Sequence, residues 1–364
     1  MTSYKEDFLA YFSIGKSHIA GILFCCAAAA VAFLLTRGTL FDGGFQILPA
    51  ELFETNPVFS FLSKVGPIVF ALILCLFINV KYFKAGGSYA GKFILRLAII
   101  LMGARVTVDV LLTASVQGFV IILAVLAVTI FVAMKLGKRL KKPWDACALT
   151  GSGTGICGVS AALSVASVIN AGQKYVHAVV GIISILGLAG VFIIPLLAFG
   201  FDMTASQAEV FIGGTLHEIG NVIPAAELYT ALGGEEVAAL ALVYKMIRVA
   251  MLVVVAAIFS HLWMKRNSGE TASEKPKLQG FLILFVVLAV LMSLFIFIAP
   301  EAGRAVQGVL VNVSVTLLTV AMAGVGLSMN LKETFTVGKT LLPFASVVWA
   351  VQVVLMLILT KLFV

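Results

Sequence analysis

The stretch GSGTGICGVSAALS, residues 151–164, holds glycines at the G-x-G-x-x-G spacing of a dinucleotide-binding loop. A Rossmann loop follows a β-strand and has an acidic residue about 20 positions further on. Here a basic segment precedes the glycines, and no Asp or Glu occurs between Asp145 and Asp202. The sequence therefore argues against a dinucleotide site, and the glycines need another explanation.

The composition indicates which solvent surrounds this chain. Hydrophobic residues make up 61% of its 364 residues and charged residues only 12%, and the mean hydropathy is +1.13. Soluble domains carry about 45–50% apolar and about 25% charged residues, so a water-soluble fold could not bury this much apolar surface. The sequence predicts an all-α, multi-pass protein of the bacterial inner membrane. Basic cytoplasmic loops explain the net charge of +8, and we expect no nucleic-acid partner.

Eleven segments are long and apolar enough to cross a bilayer, which takes about 20 helical residues. The predicted spans are residues 18–36, 58–80, 93–111, 118–136, 145–170, 176–199, 206–230, 236–262, 279–299, 305–328 and 340–362. With the N-terminus placed in the cytoplasm, 16 Lys and Arg residues fall in inside loops and 5 fall outside or at a span end. Because cytoplasmic loops are enriched in Lys and Arg, this distribution predicts an N-in, C-out topology.

Two segments in oppositely directed spans resemble each other. LRLAIILMGARVTVDVLLTASVQG (95–118) and LLTVAMAGVGLSMNLKETFTVG (317–338) each run from an apolar helix through a glycine into a short polar stretch. Such similarity is typical of inverted-repeat transporters, although chance resemblance between apolar helices explains it equally well. On the first interpretation the chain is one transporter domain, with a first helix and outer loop over 1–57 and repeats over 58–200 and 201–364.

The glycine cluster of span five, four glycines in residues 151–158, disfavours a continuous helix. Residues 159–170 would then form a half-helix whose N-terminus, near mid-membrane, presents unpaired N–H groups and a partial positive charge. Irregular backbone at this depth is tolerated where it is buried in protein or lines a cavity. Close packing of helices through small residues is the alternative explanation. The candidate binding residues of this segment are Thr154, Gly155, Cys157, Gly158 and Ser160.

A second helix break is predicted in span seven, within GGTLHEIGNVIPAAEL (213–228). Glycines and Pro224 weaken the helix there, and His217, Glu218 and Asn221 are embedded among apolar residues. Ionisable residues at membrane depth usually face a cavity or a partner, so these three are candidate binding residues. The His and Glu side chains could carry a coupling proton. The alternative is a structural role, as hydrogen-bonding residues between helices.

Span eight places Lys245 and Arg248 near its centre, three residues apart and on one helical face. A central charge costs about 2.5–3.5 kcal/mol on insertion scales, so we expect both cations to need an anionic partner. That partner is either an anionic substrate or Glu218, which would make a structural ion pair. Two cations facing one carboxylate leave a surplus positive charge, and this favours a substrate.

The segments TGSGTGICGVSAA (150–162), TLHEIGN (215–221) and KMIRV (245–249) resemble motifs of the YeiH-like membrane proteins, a family named as sulfate exporters. The resemblance implies a fold similar to that of sodium/proton antiporters and bile-acid symporters, with two inverted bundles and crossed broken helices. In that group the crossing helices come from opposite repeats, which leaves open whether span five crosses span seven or span ten. The candidate residues of span ten are Gly324, Gly326, Ser328 and Asn330.

These features predict a secondary transporter that moves a small anion (sulfate, an organic sulfonate or a carboxylate) by alternating access, coupled to a proton or another ion. A sodium- or proton-coupled cation exchanger, with Glu218 as ion ligand and Lys245 as counter-charge, is the alternative. An embedded enzyme is disfavoured because motifs such as G-x-S-x-G and H-E-x-x-H are missing, and we expect no cofactor and no bound metal. The sequence leaves the exact substrate, the direction of transport and a homodimeric state open.

Overall fold

The computed structural model describes residues 15–78, 80–107, 114–266, 280–328 and 340–364, and within these ranges the chain is helical, without β-strands. The helices are α1 (Lys16–Arg37), α2 (Glu51–Thr55), α3 (Pro57–Val65), α4 (Pro67–Leu76), α5 (Lys81–Tyr89), α6 (Leu95–Met102), α7 (Val116–Arg139), α8 (Trp144–Gly155), α9 (Val159–Val168), α10 (Gln173–Gly200), α11 (Ala205–Thr215), α12 (Val222–Ala231), α13 (Ala238–Ala250), α14 (Leu252–Arg266), α15 (Gly280–Ile298), α16 (Pro300–Ser328) and α17 (Leu342–Phe363). A π-helical turn (Ala90–Ile94) joins α5 to α6, and a 3₁₀ turn (Ile219–Asn221) precedes α12.

Each of the eleven predicted spans corresponds to helical chain in the described residues. Seven helices, counting α5 with α6 and α13 with α14 as continuous, are long and apolar enough to cross a membrane. Span two consists of α3 and α4, which meet at Gly66. Spans five and seven are the helix pairs α8–α9 and α11–α12. The all-α, multi-pass fold class is confirmed, while the number of spans and the N-in, C-out orientation stay predictions.

The chain divides into two compact units. The first comprises Met1–Thr107 and Ile283–Asn330, and the second comprises Val108–Leu282 and Leu331–Val364. The repeats predicted for 58–200 and 201–364 concern internal similarity, which this division does not test, so they stay a prediction.

In the first unit, α16 packs against α1, α4, α5 and α6. Glycines bring its last turns into contact with the main chains of its neighbours. A Cβ added to Gly324 would lie 2.6 Å from the carbonyl O of Gly87, and one added to Gly326 would lie 2.5 Å from the carbonyl O of Leu72. Such contacts through small residues are typical of membrane helices, whose association depends on close van der Waals packing.

The second unit holds both glycine-rich broken spans. Helix α13 packs against α7, α11 and α12, while α17 packs against α7, α8, α10 and α11. Both the α8–α9 span and the α11–α12 span therefore have α17 as a neighbour. On the buried face of α13, Lys245 is 0% exposed and Arg248 is 1% exposed. The predicted cationic residues thus lie inside the protein and not at its lipid-facing surface.

Candidate functional site

The chain leaves the helix between α8 and α9, where the sequence has its glycine cluster. Helix α8 ends at Gly155, and Ile156 adopts φ −115° and ψ −91°. Gly158 then adopts φ +69° and ψ −127°, directly before α9 begins at Val159. Residues with a Cβ rarely adopt such a positive φ, whereas glycine adopts it readily. The predicted break in span five is confirmed.

Other glycines of the same cluster allow close packing. A Cβ on Gly151 would lie 2.9 Å from the Cβ of Ala133 on α7, and one on Gly153 would collide with the side chain of Ile183 on α10. Of the cluster's glycines, Gly158 alone has a positive φ. The two explanations offered for the cluster, a broken helix and small-residue packing, therefore hold at different positions of one segment.

A second break separates α11 from α12. Helix α11 ends at Thr215, after which Leu216 (φ −60°, ψ 147°) and Glu218 (φ −111°, ψ 149°) are extended. The predicted break in span seven is confirmed. Span ten, the alternative partner of span five, does not break, because α16 continues as a helix through Gly324 and Gly326.

The two breaks contact each other. A Cβ added to Gly158 would lie 2.8 Å from the Cγ of Glu218 and 3.3 Å from the carbonyl O of His217. His217 is fully buried, and Glu218 is partly exposed. The chain at the second break therefore passes over the first break at the residue with positive φ. A larger residue at position 158 would push the two segments apart.

Lys245 binds the C-terminal ends of both broken helices. Its Nζ donates to the carbonyl O of Ile156 at 2.7 Å and to the carbonyl O of Leu216 at 2.5 Å. The first oxygen follows the end of α8, and the second follows the end of α11. Carbonyls at a helix C-terminus have no partner within the helix. One ammonium group thus satisfies carbonyls from two different breaks.

Arg248, one turn further along α13, binds the same two ends. Its Nε donates to the carbonyl O of Gly155 at 2.9 Å and its Nη2 to that of Thr154 at 2.7 Å. Its Nη1 donates to Gly214 O at 2.5 Å and to Leu216 O at 3.0 Å. These bonds use four of the five N–H donors of a guanidinium. The side chain acts as a buried cap on α8 and α11 together.

Of the two predicted partners of these cations, the Glu218 ion pair is wrong, since main-chain oxygens bind both side chains, and the anionic substrate stays a prediction. Among the described residues, neither Lys245 nor Arg248 forms an ion pair with Glu218. The physical reason is that a helix C-terminus carries about half a negative charge as well as unpaired carbonyls, and two such ends meet here. The two ends offset about one of the two cationic charges. About one positive charge of these two cations is therefore left without compensation at the contact between the two breaks, which we call the crossing.

Polar side chains lie beside the crossing. The ring of His217 lies 5.5 Å from the ring of Trp349, tilted by 49°. In the part of the chain that the structure describes, both ring nitrogens of His217 and the hydroxyls of Thr154 and Thr215 are buried without a hydrogen-bond partner. Buried polar groups are normally hydrogen-bonded, so these unpartnered atoms make the cluster the candidate binding site of the second unit.

Sequence reasoning missed the contribution of α17. Gln352 Nε2 donates at 3.5 Å to the carbonyl O of Gly214, which also accepts from Arg248. Trp349, on the same helix, contacts His217. Both side chains are buried, with Gln352 1% and Trp349 8% exposed. The available signal was a Gln inside an apolar span, three residues after a Trp and therefore on the same helical face.

Most of the predicted site residues are brought together. Those in the second unit, at or beside the crossing, are Thr154, Gly155, Cys157, Gly158, Ser160, His217, Glu218, Asn221, Lys245 and Arg248. Ser328 belongs to the first unit, where it is exposed and donates to the carbonyl O of Val325 at 3.0 Å. Asn330 lies outside the described residues. The roles of these residues in binding stay predictions.

This fold and site define a class of protein: a multi-pass, all-α, transporter-like protein of the cell membrane, in which discontinuous helices meet at buried charged side chains. The chain belongs to the UPF0324 family of membrane proteins, and this confirms the resemblance to the YeiH-like proteins. The family model described as "Conserved hypothetical protein 698" matches residues 20–345.

The relatives are bacterial membrane proteins of similar length. The UPF0324 membrane protein TauZ of Paracoccus denitrificans is 32% identical over 259 residues, which cover 70% of this chain and 74% of that protein. A UPF0324 membrane protein of Bacillus cereus is 33% identical over 297 residues, 79% of this chain and 82% of the relative. One from Wolinella succinogenes is 31% identical over 301 residues, 80% and 87% of the two chains. No solved structure matches the chain.

Proposed function

We propose that this protein is a secondary transporter that moves a small anion across the cell membrane by alternating access. The substrate class is sulfate, an organic sulfonate or a carboxylate, and a proton or another ion is coupled to its movement. The observation that carries the proposal is the contact between two broken helices whose C-terminal carbonyls are already bound by Lys245 and Arg248. Discontinuous helices of this kind form the substrate and ion sites of secondary transporters.

The N-terminal ends at the breaks are available to an anion. Neither α9 nor α12 has a side chain capping its first turn. A helix N-terminus offers unpaired N–H groups and about half a positive charge, which favour an anionic ligand. Ser160 in the first turn of α9 and Asn221 at the start of α12 add side-chain donors. Because Lys245 and Arg248 already bind the negative C-terminal ends of α8 and α11, the ends left for an anion are the positive N-terminal ends of α9 and α12.

Charge at the crossing supports coupling to a proton. Two cations less two helix C-termini leave about one positive charge, the N-terminal ends of α9 and α12 add about one more, and an ionised Glu218 offsets about half of this total. When Glu218 is protonated, more positive charge is left for a bound anion to offset. Protonation and anion binding therefore favour each other, and such linkage is reciprocal between the two sites. This is the property that a proton-coupled anion carrier needs.

A cation exchanger is the second candidate, favoured by one observation. Glu218 is a partly exposed carboxyl group at the contact between the breaks, where Na⁺ or H⁺ could bind with Lys245 as the counter-charge. The surplus positive charge opposes a further cation at this position. Anion transport is therefore the function that the geometry supports best.

Transport in proteoliposomes tests the proposal. Wild-type protein should take up at least one of radiolabelled sulfate, methanesulfonate and acetate, and a pH gradient should raise the rate. Glu218→Gln should abolish the stimulation by the gradient, because its side chain cannot exchange a proton. Lys265→Ala removes an exposed lysine from the end of the same span as Lys245 and should behave as wild type.

The same vesicles separate the two candidate functions. Proton release on addition of sodium, without uptake of any of the three anions, would establish the cation exchanger and contradict anion transport. Uptake that is equal in wild type and in Glu218→Gln under every gradient would leave anion transport standing and remove Glu218 as the coupling group.

A further inference from the structure

The last helix, α17, presents two buried polar atoms toward the interior of the second unit. In the described part of the chain, Trp349 Nε1 and Gln352 Oε1 have no hydrogen-bond partner, although both side chains are more than nine-tenths buried. The two residues are three apart and share a helical face. Because buried polar atoms are normally hydrogen-bonded, two of them on one face indicate a place where a polar ligand binds.

This face of α17 lies beside the contact between the broken helices. The Trp349 ring packs against the ring of His217, in the second break. Gln352 reaches the carbonyl O of Gly214, in the last turn of α11. His217 itself has two buried ring nitrogens without a partner in the described residues. The polar atoms of α17 and of the second break therefore share one region.

Two threonines of α8 face the same region. The hydroxyls of Thr150 and Thr154, one turn apart, are buried and unpartnered in the described chain. These two threonines share one face of α8. Gly151, on one side of that face, contacts α7, and Gly153, on the other side, contacts α10. Helix α17 packs against α7, α8 and α10, so it covers the face between them. Thr215, which ends α11, adds a third buried hydroxyl without a partner.

The chemistry of these atoms restricts the ligand. An indole N–H only donates and an amide oxygen only accepts, whereas hydroxyls do both. The amide of Gln352 has one consistent orientation, because its NH₂ group faces the carbonyl O of Gly214. The reverse orientation would bring two acceptors together. The region thus offers one fixed donor, Trp349, one fixed acceptor, Gln352, and several adaptable groups.

We propose that Trp349 and Gln352, with the threonines and His217 of the two breaks, bind a small oxyanion that carries its own O–H or N–H group. The oxyanion accepts from the indole and the hydroxyls, and its O–H or N–H donates to Gln352. A bare anion cannot satisfy the Gln352 oxygen. This inference rests on the proposed anion transport and adds a preference for substituted sulfonates or carboxylates over their unsubstituted analogues.

Binding of small anions to the purified full-length protein, measured as stabilisation against heat, tests the proposed site. The probes are two pairs, 2-hydroxyethanesulfonate with ethanesulfonate and glycolate with acetate, which distinguish the two head groups. Wild type should bind the hydroxylated member of at least one pair about tenfold more tightly, the effect of one buried hydrogen bond. Gln352→Met, of similar size but without an acceptor, should reduce that preference to about twofold or less.

Two further variants separate binding from a structural role. Trp349→Phe should weaken both members of the preferred pair about equally, by about fivefold, because the indole donor serves the oxyanion that they share. Thr360→Val is the matched control, since Thr360 is also a buried, unpartnered threonine of the described chain and lies about two turns beyond Gln352. This control should keep the wild-type preference.

Equal binding of all four anions by wild type, or an unchanged preference in Gln352→Met, overturns the proposed site and leaves anion transport standing. If Gln352→Met does not fold, Trp349→Phe decides, and unchanged affinity of that variant for all four probes overturns the proposed site. Wild-type protein that binds none of the four also overturns it. If such protein in addition takes up no anion in proteoliposomes, the proposed function falls as well.

Discussion

Glycines serve different purposes in α16 of the first unit and between α8 and α9 of the second. In α16 of the first unit, Gly324 and Gly326 stay helical, and their missing side chains let neighbouring main chains touch. In the second unit, Gly158 has a positive φ and separates α8 from α9. Glycine thus joins helices at the end of α16 and divides a helix at position 158. Neither use is confined to one unit, because Gly66 (φ +75°) separates α3 from α4 in the first unit and Gly151 packs against α7 in the second. The residue type alone does not decide between these outcomes.

The two outcomes differ in how many glycines lie close together in the helix and in whether a neighbouring helix supplies hydrogen-bond donors. Each glycine in a helix interior costs about 1 kcal/mol relative to alanine, so a continuous helix through the four glycines of 151–158 would be about 4 kcal/mol less stable than one with alanines. Breaking the helix also frees carbonyls, which must find donors. In the second unit Lys245 and Arg248 supply those donors. A stable break therefore combines a weakened helix with buried cations beside it.

Arg248→Leu should show the largest effect, because it removes one of the buried cations beside the break. The substitution deletes four hydrogen bonds to buried carbonyls of α8 and α11. A hydrogen bond to a charged group contributes about 1.5–3 kcal/mol. We expect a loss of stability of about 4 kcal/mol or more, seen as a much lower unfolding temperature in detergent.

The control for this loss is Arg304→Leu, which removes an exposed arginine from α16 of the first unit. It should leave the unfolding temperature of the protein within a degree or two of wild type, since exposed charges contribute little. An Arg248→Leu protein as stable as this control would show that the broken helices do not need the cation.

Much of the fold could be predicted because the signals are local. Apolar segments of sufficient length mark the spans, and clustered glycines mark the breaks in spans five and seven. Which of spans seven and ten carries the second helix break could not be predicted from local sequence. Both contain closely spaced glycines, and α16 stays intact while its glycines contact Gly87 and Leu72, residues far away in the sequence.

The partners of the buried cations could not be predicted from residue types. Lys245 and Arg248 bind main-chain oxygens, which every residue carries, so no side-chain pattern reveals them. The contribution of α17 was hidden for a related reason. Gln352 is visible as a polar residue in an apolar span, but its position beside Gly214 depends on how α17 packs.

Gly158→Ala should have an intermediate effect, and it tests the first half of the combination. A residue with a Cβ in the left-handed region costs about 1–2 kcal/mol, and this Cβ would also lie 2.8 Å from the Cγ of Glu218. We expect a loss of about 2 kcal/mol in stability. Because the contact between the breaks moves, transport per folded molecule should fall as well, measured in proteoliposomes with matched protein content. Full transport activity would contradict a functional role for this contact.

Gly324→Ala should have the smallest effect and should change stability alone. The added Cβ would lie 2.6 Å from the carbonyl O of Gly87 and 2.9 Å from the N of Gly91. Overpacking of this kind costs about 1–3 kcal/mol, and the gain in helix propensity returns about 1 kcal/mol. The expected net loss is therefore about 1 kcal/mol, measured as a lower unfolding temperature.

Gly308→Ala, on the same helix but with no atom within 4 Å of its added Cβ, separates the two terms of that estimate. It keeps the propensity gain without the collision, so it should raise stability by about 0.5–1 kcal/mol. Both variants should transport at the wild-type rate per folded molecule, because glycines that only join helices have no part in the transport cycle. A reduced rate in Gly324→Ala, with a full rate in Gly308→Ala, would show that the packing of α16 also takes part in transport, and the contrast between the glycines of α16 and Gly158 would then fail.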